Sequence, residues 1–254
     1  MISAIDHLVI LVGNLAAAVA DYEALGFTVT PGGEHTDGAT HNALISFADG
    51  SYLELLAFRR EAPEHRWWQH TAAGAGLIDF ALLPDDTTAA VIAARARGLP
   101  LRGPFAGGRE RPDGVRLAWQ TALGDTPELP FLCGDVTPRE WRVPYEQIWH
   151  PNGVMGIFRI TVAVRNLTLS AARYVALLGQ HPLVEPGRRL FKLGHSYIAL
   201  QEPGPDALES AAVELRLDQR GEGIASVALR RDNLAAIPRS LDPDLAHGVR
   251  IIVA

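Results

Sequence analysis

The sequence predicts an α+β protein of four βαβββ modules, the last abbreviated, arranged as two domains. Three observations carry this reading. Short apolar runs bounded by turn residues alternate with Ala-rich helical stretches in the order strand, helix, three strands. That order recurs along all 254 residues. Individual residues recur with it: Asn14-Leu15, Tyr22 and Gly26 match Asn166-Leu167, Tyr174 and Gly179, with one residue inserted before the second glycine. Likewise Tyr52-Leu-Glu-Leu55 matches Tyr197-Ile-Ala-Leu200.

The first module spans residues 4–60. Ala4 to Val12 is apolar enough for a buried strand, broken only by Asp6 and His7. Asn14 is placed to cap a helix whose apolar positions (Leu15, Val19, Tyr22, Leu25) fall near helical spacing, and Gly26 stands where a helix C-terminus needs a left-handed residue. Phe27–Thr30, His41–Phe47 and Ser51–Phe58 follow as strands, the last two joined through Asp49-Gly50. The second module spans 77–135: strand Leu77–Leu83, helix Thr87–Gly98, strands Val115–Leu123 and Leu129–Cys133. Together residues 1–136 form the first expected domain. A Pro-, Arg- and Trp-rich stretch, 137–155, reads as the linker. The second domain, 156–254, holds a third module (156–203) and a short fourth (223–254) with a turn at Asp232-Asn-Leu234, a helix and a closing strand.

Composition narrows the class. Apolar residues make up 48% and charged residues 20% of the chain, so a packed core is expected. The net charge of −6 and the absence of a Lys/Arg run argue against nucleic acid and against an anionic membrane surface. Cys133 is the sole cysteine, which excludes an internal disulfide and points to a reducing compartment. With no basic leader and no long apolar run, a cytoplasmic protein is expected. A small-molecule ligand is the expected partner, and a homodimer is left open. Phosphate loops, dinucleotide-binding glycine patterns, nucleophile elbows and zinc spacings are absent from the sequence.

Modules that open with Ile5-Asp-His7 and close with Tyr52-Leu-Glu-Leu55 resemble the vicinal oxygen chelate superfamily of glyoxalases, bleomycin-resistance proteins and extradiol dioxygenases. Within it the chain is most similar to glyoxalase-like domain proteins. Thr40-His-Asn-Ala-Leu44, Gly50-Ser-Tyr-Leu-Glu-Leu55, Gly76-Leu-Ile-Asp-Phe-Ala81, Leu129-Pro-Phe-Leu132 and His150-Pro-Asn-Gly153 carry the likeness. The resemblance implies two glyoxalase-like domains. It also implies a cup in which His and Glu from the first and last strands hold a divalent metal (manganese, iron, nickel, cobalt or zinc). Carried over, His7 and Glu54 match the first module's two ligand positions. The later modules depart from the pattern. Aligned by sequence, Phe80 falls at the second histidine position unless a one-residue shift brings in Asp79, and Leu132 or Cys133 stands where a glutamate would. Arg159, Ala199 and Ser226 occupy the corresponding places further on.

The remaining candidates follow from residue chemistry. Glu54, and His41 one strand away, are the candidate acid/base groups, although a buried His7–Glu54 bond would also serve structure alone. Asn42, Trp67, Trp68, Trp119 and His150 are candidate substrate contacts, the tryptophans as walls of an apolar pocket. His150-Pro-Asn-Gly153 also suits a plain turn. Arg116 and Arg159 would suit a bidentate grip on a carboxylate, with surface ion pairing as the alternative. Two readings follow: an enzyme of lyase, isomerase or dioxygenase type acting on a small oxygenated metabolite, or a metal-free binder that sequesters an aromatic or planar compound, as the resemblance to resistance proteins implies.

Overall fold

Strands that are apolar on one side must bury that side, and here two sheets do so against a shared core. The structure, a computed structural model, describes residues 1–204, 209–232 and 237–254. In chain order the first module gives β1 (Ile2–Leu11), α1 (Leu15–Ala24), β2 (Thr30–His35), β3 (Thr40–Ser46) and β4 (Tyr52–Phe58). The second gives β5 (Gly76–Pro84), α2 (Thr87–Ala96), β6 (Arg102–Glu110), β7 (Arg116–Leu123) and β8 (Phe131–Asp135). These eight strands close into a barrel in the order β1-β4-β3-β2-β6-β7-β8-β5. Within each module the first and last strands are parallel neighbours, and β1 and β5 join the modules antiparallel.

A one-turn helix, α3 (Arg139–Arg142), sits in the expected linker. Then come β9 (Val154–Ala163), α4 (Leu167–Leu178), β10 (Leu183–Glu185), β11 (Arg188–Leu193) and β12 (Ser196–Gln201). After them stand α5 (Ser210–Arg220), β13 (Gly223–Arg231), β14 (Arg239–Ser240) and β15 (Arg250–Val253). These strands form an open seven-stranded sheet, β10-β11-β12-β9-β13-β15-β14. The fold is thus mixed α+β, strand-rich, with two sheets. α5 was not foreseen. The turn expected at Asp232-Asn-Leu234 and the start of the helix after it fall largely on 233–236, outside the described residues; 237–249 holds β14 and turns in place of the rest of that helix.

Local signals position the helices. The Asn14, Asp86 and Asn166 side chains each accept from a backbone N–H three residues on, relieving orphan donors at the helix starts. Alternation sends Ile5, Leu8 and Ile10 of β1, and Ile157, Ile160 and Val162 of β9, into one continuous apolar core. The repeated tyrosines pin the two halves across it: the Tyr22 hydroxyl donates to Ala246 O, and the Tyr174 hydroxyl to Glu128 O.

Each first strand carries a bulge. In β1 the pairing runs Ile5↔Leu82 and then His7↔Ala81, and in β5 Asp79↔Val9 and then Leu77↔Ile10. The same shift recurs in β9 and β13, around Phe158 and Ala225. A bulge puts two successive residues on one face. Asp6 and His7 therefore both turn into the barrel, as do Ile78 and Asp79. This corrects the alignment made by sequence: Asp79 is the second module's counterpart of His7, and Phe80 lies in the outer core. The register, with Glu54 beside Val9 and Phe131 beside Ala81, likewise makes Phe131 rather than Leu132 or Cys133 the counterpart of Glu54.

Candidate active site

Glu54 lies inside the barrel because its neighbours Leu53 and Leu55 face the outer core. It is 4% exposed. Across the ladder on β3, Asn42 points the same way and donates from Nδ2 to Glu54 Oε1 at 2.5 Å. His7 Nε2 faces Glu54 Oε2 at 3.4 Å, and His35, at the end of β2, faces Oε1 at 3.6 Å. Two imidazoles and an amide thus surround one carboxylate.

The other side of His7 is fixed. Its Nδ1–H donates to Asp6 Oδ2 at 2.7 Å, and its ring stacks on Tyr52 with centroids 4.6 Å apart. The bulge makes this contact between adjacent residues possible. Asp6 is in turn clamped from α3: Arg139 Nη1 reaches Oδ1 at 2.6 Å and Arg142 Nη1 reaches Oδ2 at 2.8 Å. Arg142 also donates to Tyr52 Oη and to Asp135. Burial alone would raise the Asp6 pKa, but Arg142, His7 and Arg139 outweigh it and hold the carboxyl well below the usual range. His35 moves down from the ordinary imidazole value, chiefly through burial, which keeps it neutral; its Nδ1 lies 2.8 Å from Thr40 Oγ1.

These groups line a cavity of about 260 Å³ inside the barrel. Its walls are Trp67, Trp119, Phe131 and Tyr52. The Arg66 guanidinium lies over Trp67 and Phe131 at 4.9 and 4.8 Å and pairs with Asp79, to which Trp67 Nε1–H also donates. Asp79, at the second histidine position, is therefore spent on holding the wall. Burial pushes the Cys133 thiol up, so it lines the cavity as a protonated, inert group.

Of the residues singled out by sequence, His7, Asn42, Glu54, Trp67 and Trp119 come together here. Five others do not. His41 lies on the outer face of β3 beside Glu34 and Arg59, because strand alternation that turns Asn42 in turns His41 out. Trp68 packs edge-on against Phe58 outside the cavity lining. His150 is wedged between Phe27 and Phe47, accepting from the Thr28 N–H and bonding Ser46 O, and so ties the linker to the barrel's outside. Arg116 pairs with Glu110 at the surface and Arg159 with Glu209 in the other sheet, so neither reaches the cavity. Sequence reasoning missed Asp6, His35, Arg109 and Arg142. Asp6 had a signal, since an aspartate inside an apolar strand must find a partner. The others come from a strand end, a glycine-rich run and the linker, and only the closed barrel gathers them.

Residues 5–178 match the family of glyoxalase-like domain proteins. The chain belongs to that family. Among curated proteins none matches it by sequence. Among solved structures it is similar to a hypothetical protein from Staphylococcus aureus, with 14% identity, a TM-score of 0.76, and coverage of 100% of this chain and 99% of the other. It is also similar to a mutant of 4-hydroxymandelate synthase from Streptomyces coelicolor, with 15% identity, a TM-score of 0.61, and coverage of 92% and 72%. At these identities the likeness shows the fold alone.

This glyoxalase-like chain lacks the donor set expected of a metal-dependent relative. In the second half-site Phe131 offers no donor, and the Asp79 carboxylate is held by Arg66 and Trp67. In the first, Oε1 of Glu54 is taken by Asn42, and His7 and His35 approach different oxygens. Among the described residues no group of three or more His, Cys, Asp and Glu side chains is arranged to hold a metal ion. The residues do not fit the divalent cation that the resemblance implied. No helix among the described residues is long and apolar enough to cross a membrane.

Proposed function

We propose that this protein is an enzyme of the isomerase or lyase kind that moves a proton on a small planar, oxygen-bearing molecule held in the first barrel. The observation that carries the reading is the buried Glu54, oriented by Asn42 and facing His7 and His35 in an aromatic-walled cavity. Glu54 Oε2 acts as the base, taking a proton from a C–H made acidic by a neighbouring carbonyl. His7 Nε2, 3.4 Å away, receives or returns it. The imidazolium formed lies against the ionised Asp6, which favours its charge. Tyr52, stacked on His7, keeps the ring in place.

The test is hydrogen exchange with solvent. Small oxo- and hydroxy-compounds that bind are incubated with protein in deuterium oxide, and carbon-bound deuterium is followed by NMR. Exchange is expected for at least one binder and is lost in Glu54→Gln. Binding without exchange across the panel would leave the second reading, a sequestering protein. One observation favours that reading: both Glu54 oxygens already have neighbours within the protein. Metal content after purification without chelator is expected to stay well below one ion per chain, unchanged in His7→Ala. Near-stoichiometric metal lost in that variant would replace the proton-transfer reading with a metal-dependent one.

A further inference from the structure

Arg109 is the charge that the site does not account for. It is 3% exposed and projects from β6 into the cavity lining, opposite His35 in the ladder. Arginines are seldom buried without an acidic partner, because removing the charge from water is costly. The other buried arginine of this site, Arg142, is paired with Asp6 and Asp135. Arg109 forms no ion pair among the described residues. Its Nη2 donates to Arg142 O at 2.8 Å, and its Nη1 makes a long contact with Asn42 Oδ1 at 3.4 Å. A guanidinium has five N–H donors in a planar fork, so most of this one's donor capacity is unspent. Burial depresses its pKa despite the fields of Tyr52 and Glu54, the direction expected for a charge without a full counter-ion.

The surroundings keep the fork in place. One nitrogen is tethered to the α3 backbone. Glycine occurs where a side chain would collide: a Cβ at Gly32 would fall 1.9 Å from Asn42 Oδ1 and 2.6 Å from Arg109 Nη1. A Cβ at Gly107 would fall 2.4 Å from Trp119 Nε1, so that glycine makes room for an aromatic wall of the same cavity. A fixed, buried, unpaired guanidinium beside flat apolar walls is a receptor for a planar anion.

We infer that Arg109 binds the carboxylate of the ligand, and that the ligand is a small planar monocarboxylate whose apolar body lies between the aromatic walls. This deepens the reading of the cavity as the working site and rests on it. Asn42 links the two functions, since it contacts Arg109 through its oxygen and Glu54 through its nitrogen. A carboxylate on Arg109 thereby sets the adjoining carbon near the Glu54 end of the cavity.

Matched acid and amide probes test the assignment: benzoate against benzamide, and phenylacetate against phenylacetamide. Binding is followed by tryptophan fluorescence and by the indole N–H signals of Trp67 and Trp119. Each acid is expected to bind at least about tenfold tighter than its amide, as one charge-assisted bond implies. Arg109→Gln should erase that gap while leaving amide binding in place, and Arg109→Lys should keep part of it. Gly32→Ala, which retains every charge, should narrow the gap by displacing the fork. Acids and amides binding alike in the wild type, or a gap that survives in a folded Arg109→Gln protein, would overturn the assignment while sparing the cavity. Acids bound through Arg109, with no binder of the oxo- and hydroxy-compound panel exchanging a proton, would spare the assignment and sink the enzyme reading. No response of either indole to any probe would remove both.

Discussion

The two sheets start from the same module and end with opposite interiors. In the barrel, the inward positions of β1 and β4 hold His7 and Glu54 around a cavity. In the open sheet, register places Arg159 at the counterpart of His7 and Ala199 at the counterpart of Glu54. The space is then filled from outside the strands. Glu209, at the start of α5, pairs with Arg159 and accepts hydrogen bonds from the Thr161 and Ser226 hydroxyls, while Val213 and Leu217 pack on Ala163 and Ala225. Burial would raise the Glu209 pKa, but those hydroxyls and Arg159 pull it below the ordinary value. The difference teaches what a cavity needs. A short fourth module leaves the sheet open, and an open apolar concavity is covered by whatever chain lies nearest. Closure by eight strands lets the barrel keep a cavity, with Trp67 as one wall and Arg142 of α3 reaching its lining, where the open sheet is filled by α5.

The largest expected effect tests how the barrel keeps that interior polar. Arg142→Ala leaves Asp6 buried with half its clamp, and should cost about 3–5 kcal/mol in urea-induced unfolding. Acid should sharpen the result. A carboxyl with a depressed folded pKa stabilises above its unfolded value and loses that contribution as pH falls through the folded one. Wild-type Asp6 should therefore give its full contribution above about pH 3.8 and lose the last of it only well below, and the variant should unfold at a higher pH. An unchanged acid midpoint would show that Arg139 alone suffices.

Next comes Glu209→Gln, which keeps the shape of the plug but not its charge. About 1–3 kcal/mol of stability should be lost, with ligand binding in the barrel unaltered. A change in barrel affinity would mean that the two interiors are energetically linked. Smallest in stability is Glu54→Gln, which should move the unfolding free energy by less than about 1 kcal/mol while abolishing proton exchange. Comparable stability losses for the Glu54 and Glu209 variants would make Glu54 a packing group and break the contrast.

The module plan was readable because it repeats, and repeated caps and tyrosines mark their own period. The pairing of His7 with Glu54 was readable because two polar residues inside otherwise apolar strands have few reasons to be there. The bulge was not readable, since it conserves composition and shifts only which face a residue takes; this is why Phe80 seemed to stand at a place that Asp79 holds. His41 misled for a related reason: it neighbours Asn42 in sequence and lies on the other side of the strand. Arg109 and His35 reach the site through the contact of β2 with β6, which closes the barrel. Contacts of that range leave no local trace. α5 escaped notice because its polar face dilutes a short apolar stripe.

The clamp on Asp6 also dictates an order of assembly. Its two arginines lie more than 130 positions downstream in the chain, past the last strand of the barrel. A polypeptide that stops at Asp135 would hold all eight strands and still bury an anion with neither arginine to neutralise it. Such a fragment should favour a partly opened β1, with Asp6 in water. During synthesis the pocket would then stay unformed until α3 arrives, so the segment that separates the two sheets along the chain would act as the latch that completes the first.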